Sequence, residues 1–536
     1  MVHPIKCGPA LIHLLQEEQV EYIFGHPGEQ VLPLYDALRV SNINHILVRH
    51  EQAAAHAADG YARSSGKIGV CIATAGPGAL NLVMGVATAY KDAVPMLVIT
   101  GDVPTYLKGE GGFQDLELCN IFQNITLESF YAENASDSIL KLKLALKMLK
   151  YGPTGPVHLN IPKDVLEEEV DYSLLQEVVK YNLEKEFNDF PQAVNAIESC
   201  KKPLVIAGSG IIWSHSLKTF RRFINNNKIP VATTYPARGV LSEYETLGLG
   251  MIGTRGTARA NYAGANSDLI IAMGCRLSER TMVGIEDAKI IHVNIDSKVL
   301  RGHVNIQDDV KNVLDKFKSL NFPDSSAWLS EIRKNSLPSQ NLNLNYGNQK
   351  GSLKPQEAIK QILKASGDST IVNDAGSHTT WVTLLKKVKR PGSVIFSGSF
   401  GPMGYGLPAS IGCFLACPQS HTVVITGDGG FQMTLQELAT IKQEKIPVVI
   451  CIINNHCLGI IRQWQDTFYQ GPFQVALENP DFVMLGKSYG IDSVRVESSD
   501  EVFNAVDKAI KSNKPYLIEI IVDPKENIPL PPQMQE

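Results

Sequence analysis

The stretch from Val423 to Asn455 constrains this chain more than any other. Val423–Thr426 is an apolar run suited to a strand buried on both faces. GDGG (427–430) follows. Leu435, Leu438, Ala439 and Ile441 then recur at helical spacing, which predicts an amphipathic helix after the glycines. Pro447 opens a second apolar run, Val448–Ile453, read as the next parallel strand. The result is a βαβ unit with polar residues, Asp428 and Asn454–Asn455, at the carboxyl ends of both strands. Ligands of open parallel sheets bind at that edge.

The residue types indicate the ligand. Gly427, Gly429 and Gly430 let backbone N–H groups approach an anion with no side chain between. A carboxylate and a carboxamide oxygen are hard ligands, suited to Mg2+ holding a diphosphate. A nucleotide-sheet turn whose Asp merely caps a helix is the simpler alternative. Against it stands the spacing, GDG and NN separated by 24 residues that hold a helix and a strand. The lysine of a P-loop, GxxxxGK[ST], is absent. The segment resembles the thiamine diphosphate (ThDP) motif of ThDP-dependent enzymes.

At 536 residues the chain is too long for one core, so two or three domains are expected. A net charge of -5 offers no electrostatic case for nucleic acid or an anionic membrane. No apolar run reaches transmembrane length, and the first helix carries acids, unlike a signal peptide. Nine scattered cysteines without a CxxC point to free thiols in the cytoplasm. Alternating strand and helix patterns divide the chain into doubly wound α/β blocks at 1–172, 191–330 and 354–525. Polar segments at 173–190 and 331–353 read as linkers, and the tail from 526 is Pro-rich. GSG at 208–210 lacks the third glycine of a dinucleotide fingerprint. The order and size of the blocks match the pyrimidine-binding, middle and diphosphate-binding domains of ThDP enzymes, so the resemblance covers the whole chain.

The resemblance implies a set of site residues. Glu51, in RHEQAAAHAADGYAR, matches the glutamate that hydrogen-bonds the aminopyrimidine, although an acid there also suits a helix N-terminus. Met403, in SFGPMGYGLP, matches the apolar support that bends the cofactor, and the carbonyl of Gly401 matches the acceptor for its amino group. Asp428, Asn455 and the backbone carbonyl of Cys457 match the Mg2+ ligands. Gly429, Gly430, Leu458 and Gly459 fall against the diphosphate. Ser377 and His378, in DAGSHTTW, occupy the place of a GQH turn.

Within the ThDP group the chain is most similar to acetolactate (acetohydroxyacid) synthase large subunits. Three stretches carry this: TAGPGALN (74–81), with Pro77, Gly78 and Asn81; GGFQD (111–115), with Phe113 and Gln114; and GIIRQWQDTFY (459–469). The likeness implies that Phe113 and Gln114 face the reacting end of the cofactor, and that Trp464 and Arg280 shape the site for a second 2-keto acid. A guanidinium suits a substrate carboxylate, with which it pairs bidentately.

The expected activity is decarboxylation of pyruvate and transfer of the two-carbon unit to that second 2-keto acid. The implied assembly is a homodimer or homotetramer with shared sites, and a regulatory small subunit is left open. Several positions depart from the family. The usual PGG turn is HPGEQ, which puts Glu29 beside the site, either as a first-turn acid or as the acid of a non-ligating decarboxylase or lyase. Leu127, Thr254 and Pro153 replace a Lys, a Met and an Arg of the synthases, and these changes leave FAD binding open.

Overall fold

The computed structural model describes residues 4–183, 187–336 and 352–529. Residues 337–351 of the second expected linker, 184–186 of the first, and 530–536 of the Pro-rich tail lie outside these. Three six-stranded sheets, each parallel throughout, follow one another along the chain. Strands such as Met96–Asp102, Pro156–Pro162 and Val448–Asn454 are buried at every residue, as strands covered by helices on both faces must be.

With strands counted in chain order inside each sheet, the first and third sheets run 2-1-3-4-6-5 and the middle one 3-2-1-4-5-6. In each sheet growth reverses direction beside the first strand, and a crevice opens there at the carboxyl ends. In the first sheet it lies between Tyr22–Gly25 and Gly69–Ala73, and in the third between Thr370–Asn373 and Thr422–Gly427. In the middle sheet it lies between Pro203–Ala207 and Leu269–Met273. The glycine turns singled out above leave these strands. Topology alone thus places Glu29, Thr74–Gly78, Ser377–His378, Asp428 and the 274–280 turn at sheet openings.

The helix expected after GDGG is in fact three pieces: Asp428–Gln432, a 3-10 turn at Leu435–Glu437, and Leu438–Gln443. The breaks have tertiary causes. Thr434 gives its hydroxyl to the carbonyl of Gly404 at 3.0 Å, and Glu437 turns toward the N-terminal domain. The first and third domains share one apolar core. In it the helix Glu51–Ser65 lies directly on Gly406–Ala416, and a Cβ built on Gly60 would stand 2.2 Å from the carbonyl oxygen of Ala409. A buried polar knot fixes the pair: Arg63 bonds Asp59 at 2.6 Å and Asp92 at 2.8 Å, and the Tyr405 hydroxyl donates to Asp59 at 2.6 Å.

Candidate active site

One cluster forms around Glu51. His50 sits at the N-cap of the helix, its Nδ1 accepting from the Gln52 amide at 3.2 Å, and Glu51 is the first helical residue, with its side chain buried. The Asn81 amide donates to Glu51 Oε2 at 2.9 Å. The other oxygen faces a glycine: a Cβ on Gly78 would meet Oε1 at 3.1 Å and the Thr74 methyl at 2.7 Å. One carboxylate oxygen is thus oriented while the second borders a gap that any larger residue would fill.

Gly76, with φ +54°, carries the turn, and its missing side chain admits Gln114, whose Cβ lies 3.0 Å from the position a Gly76 Cβ would take. Thr74 also accepts from the Gln30 amide at 3.3 Å, so the 26–30 turn lies one side chain away. Next to it Glu29 is exposed and pairs with Lys163 at 3.4 Å, while Phe113 is 79% exposed beside Gln114.

The second cluster gathers at the opening of the third sheet. Asp428 is buried, and Asn479 donates to its Oδ2 at 2.8 Å and to Asn454 Oδ1 at 2.9 Å. Burial raises the Asp428 pKa, and among the described residues no cationic side chain forms an ion pair with it. A buried carboxylate in this condition is suited to a metal ion. Asn455 Oδ1 accepts from the Cys457 amide at 3.2 Å. A Cβ on Gly459 would meet the Asn455 amide at 2.7 Å and the Ser377 hydroxyl at 3.2 Å, so two loops meet at this glycine. Met403 and Leu458 both come within 3.2 Å of the Cβ position of Gly429, which places the methionine over the diphosphate turn.

His378 is buried and bonds the Asp374 carbonyl at 3.0 Å. Burial lowers its pKa to about 4, so the ring is neutral. Asp374 itself went unread in the sequence. It takes the Ala375 and Gly404 amides at 2.7 and 3.1 Å and the Thr426 hydroxyl at 2.9 Å, tying the Met403 turn to two strand ends. Burial pushes its pKa up to about 6.

Arg280, Gly401 and Trp464 border a third space, a cavity of about 1250 Å3 lined by residues of all three domains. Ser209, Gly210, Arg255 and Arg276 also line it. Arg255 is held below its usual pKa by burial and then by the charge of Arg280, and among the described residues no carboxylate pairs with it. Among the described residues no hydrogen bond joins the Glu51 cluster to the Asp428 cluster.

Three domain families of thiamine pyrophosphate enzymes match the chain: the N-terminal TPP binding domain over residues 5–121, the central domain over 191–317, and the C-terminal TPP binding domain over 374–520. The probable acetolactate synthase large subunit of Methanocaldococcus jannaschii is 40% identical, over 98% of this chain and 94% of the relative. The chain belongs to the acetolactate synthase large-subunit family. The acetolactate synthase large subunits of Lactococcus lactis and Haemophilus influenzae are 37% and 36% identical, over 98% and 97% of this chain and 94% of each relative. Membership makes this a ThDP-dependent enzyme, and the glycine cradles at Gly78, Gly429 and Gly459 fit such a cofactor. One departure from the acetolactate synthase pattern has a structural account. Leu127 is an apolar plug against the N-terminal core, 3.0 Å from the position a Gly155 Cβ would take.

Proposed function

We propose that this chain is an acetolactate synthase catalytic subunit: it decarboxylates pyruvate and ligates the two-carbon unit to a second 2-keto acid. The observation that carries the reading is the buried Glu51 carboxyl, with one oxygen oriented by Asn81 and the other bordered by Gly78. ThDP, when bound, supplies the electron sink for breaking and making the carbon–carbon bonds. The residues of the chain do the rest. Glu51 holds a proton on the aminopyrimidine side, Met403 and Leu458 wall the cofactor space, and Gln114 stands beside the 74–78 turn. Arg280 is the carboxylate partner proposed for the second keto acid, and Trp464 shapes its pocket.

Mg2+ would be held by Asp428, Asn455 and the Cys457 carbonyl. Asn479 orients that set, so Asn479→Ala lowers Mg2+ affinity by about 10- to 100-fold. Mg2+ titration of ThDP binding measures this, and an unchanged affinity would remove Asn479 from the metal site. The cavity beside the middle domain, with Arg255, Arg276 and Arg280 on its lining and no ion pair on Arg255 among the described residues, is the place proposed for the diphosphate of FAD. Flavin fluorescence of the purified protein tests that.

The three units 1–172, 191–330 and 354–525 serve as the pyrimidine, middle and diphosphate domains. The relatives are named large subunits, and a small regulatory subunit is proposed here on that basis. Leu80 and Met84, exposed on the helix that carries Asn81, form a face for a second copy in a homodimer or homotetramer with shared sites. Among the described residues no helix is long and apolar enough to cross a membrane. The nine unpaired cysteines suit the cytoplasm.

Product analysis decides the central reading. With ThDP, Mg2+ and pyruvate the protein is expected to form acetolactate. Acetaldehyde alone would transfer the assignment to decarboxylation assisted by Glu29.

A further inference from the structure

Glu437 lies nine residues beyond Asp428 and is fully buried. Its side chain reaches into the N-terminal domain of the same chain. Oε1 accepts the Arg49 amide at 3.0 Å and the His50 amide at 3.1 Å. Oε2 accepts the Thr440 hydroxyl at 2.6 Å and shares the Arg49 amide at 3.2 Å. These amides belong to the two residues immediately before Glu51.

Among the described residues no cationic side chain forms an ion pair with Glu437. The Arg49 guanidinium is directed away, to the Leu47 carbonyl at 3.0 Å and to Gln443 at 2.8 Å, and His50 uses its ring nitrogen on Gln52. Burial pushes the Glu437 pKa up to about 7, against the pull of the hydroxyl, the two amides and the charge of Arg49. A buried, unpaired acid is a costly way to join two domains, and an apolar side chain would do so more cheaply. What an acid adds is two charge-assisted bonds to adjacent amides, which fix a peptide segment in position and orientation.

We propose that Glu437 is a positioning residue for Glu51, clamping the entry of helix Glu51–Ser65 so that the Glu51 carboxyl stands in register with the cofactor. The inference rests on the role of Glu51 proposed above. It also ties that role to the segment beginning at Asp428, because the turn that carries the metal-ligand candidate runs on directly into the clamp.

The test compares Glu437→Ala and Glu437→Gln in the full-length protein, with two readouts. The first is amide hydrogen exchange at Arg49 and His50 without cofactor, which Glu437→Ala accelerates by about tenfold or more. The second is exchange of the C2 proton of bound ThDP, which Glu437→Ala slows on the order of 100-fold, the scale of a 1 Å misplacement. ThDP affinity stays near that of the unsubstituted protein. Glu437→Gln, which keeps one carbonyl acceptor, falls between the two in both readouts.

In a Glu51→Gln background, adding Glu437→Ala causes no further loss of C2 exchange, since Glu437 acts only through Glu51. Faster amide exchange with unchanged C2 exchange would reduce Glu437 to a structural tie and overturn the proposal. A full second loss in the Glu51→Gln background would overturn it as well. If Glu51→Gln alone retained normal C2 exchange, the assignment of Glu51 would fall and take the clamp with it. An inert Glu51→Gln beside an unaffected Glu437→Ala would fault the clamp alone.

Discussion

Glu51→Gln will leave ThDP bound and slow exchange of its C2 proton by about 10²- to 10⁴-fold, the usual range for losing a positioned acid–base group. The substitution is close to isosteric. A Gln carbonyl can still accept the 2.9 Å bond from Asn81, so helix and side chain stay in place. What disappears is the second oxygen, the one bordering Gly78, because an amide nitrogen there can donate a hydrogen bond but cannot take up a proton. Binding should therefore be nearly constant while proton movement fails. The measurement is deuterium incorporation at C2 in acid-quenched samples, alongside a ThDP titration. Exchange within about threefold of the unsubstituted rate would show that Glu51 only caps its helix, the alternative its position at the helix start also allows.

That alternative illustrates what a sequence can and cannot express. The spacing from GDG to NN was readable because it is a local consequence of geometry. A strand ends, the chain crosses the sheet face and the next strand returns, so the two polar ends are separated by one βαβ unit. The placing of Gly427–Gly430 at the end of one strand and Asn455 just past the end of the next follows from it. Asp374, Asn479 and Glu437 follow from nothing local. Asn479 meets Asp428 across 51 residues, and Glu437 meets Arg49 across 388. A single polar residue carries no periodic pattern that would announce such a contact.

The same cause explains the helix after GDGG. Leu435, Leu438 and Ile441 have helical spacing, yet the partners of Thr434 and Glu437 lie on other elements and break the segment into short turns. Glu29 was legible only as a departure from the family turn. Its partner Lys163 is 134 residues away, so charge at that site could be read but not its pairing.

Gly412→Ala will damage fold and site together. A Cβ at this position would stand 1.9 Å from the carbonyl oxygen of Ala57 and 2.6 Å from the amide of Tyr61, both backbone atoms of helix Glu51–Ser65. No flexible side chain is available to move aside, so one helix must shift as a body. Overpacking of this kind costs about 3 kcal/mol, the upper end of the usual range. The shift acts on the helix that begins with Glu51, and a displacement near 1 Å there lowers turnover on the order of 100-fold. Gly398→Ala is the control, since the nearest atoms to its Cβ, on the Phe396 ring, lie at an ordinary 3.6 Å. At a fixed scan rate Gly412→Ala should melt several degrees lower and Gly398→Ala should not. If both melt with the unsubstituted protein, the two helices are not in the contact described, and the route by which the C-terminal domain places Glu51 must be drawn differently.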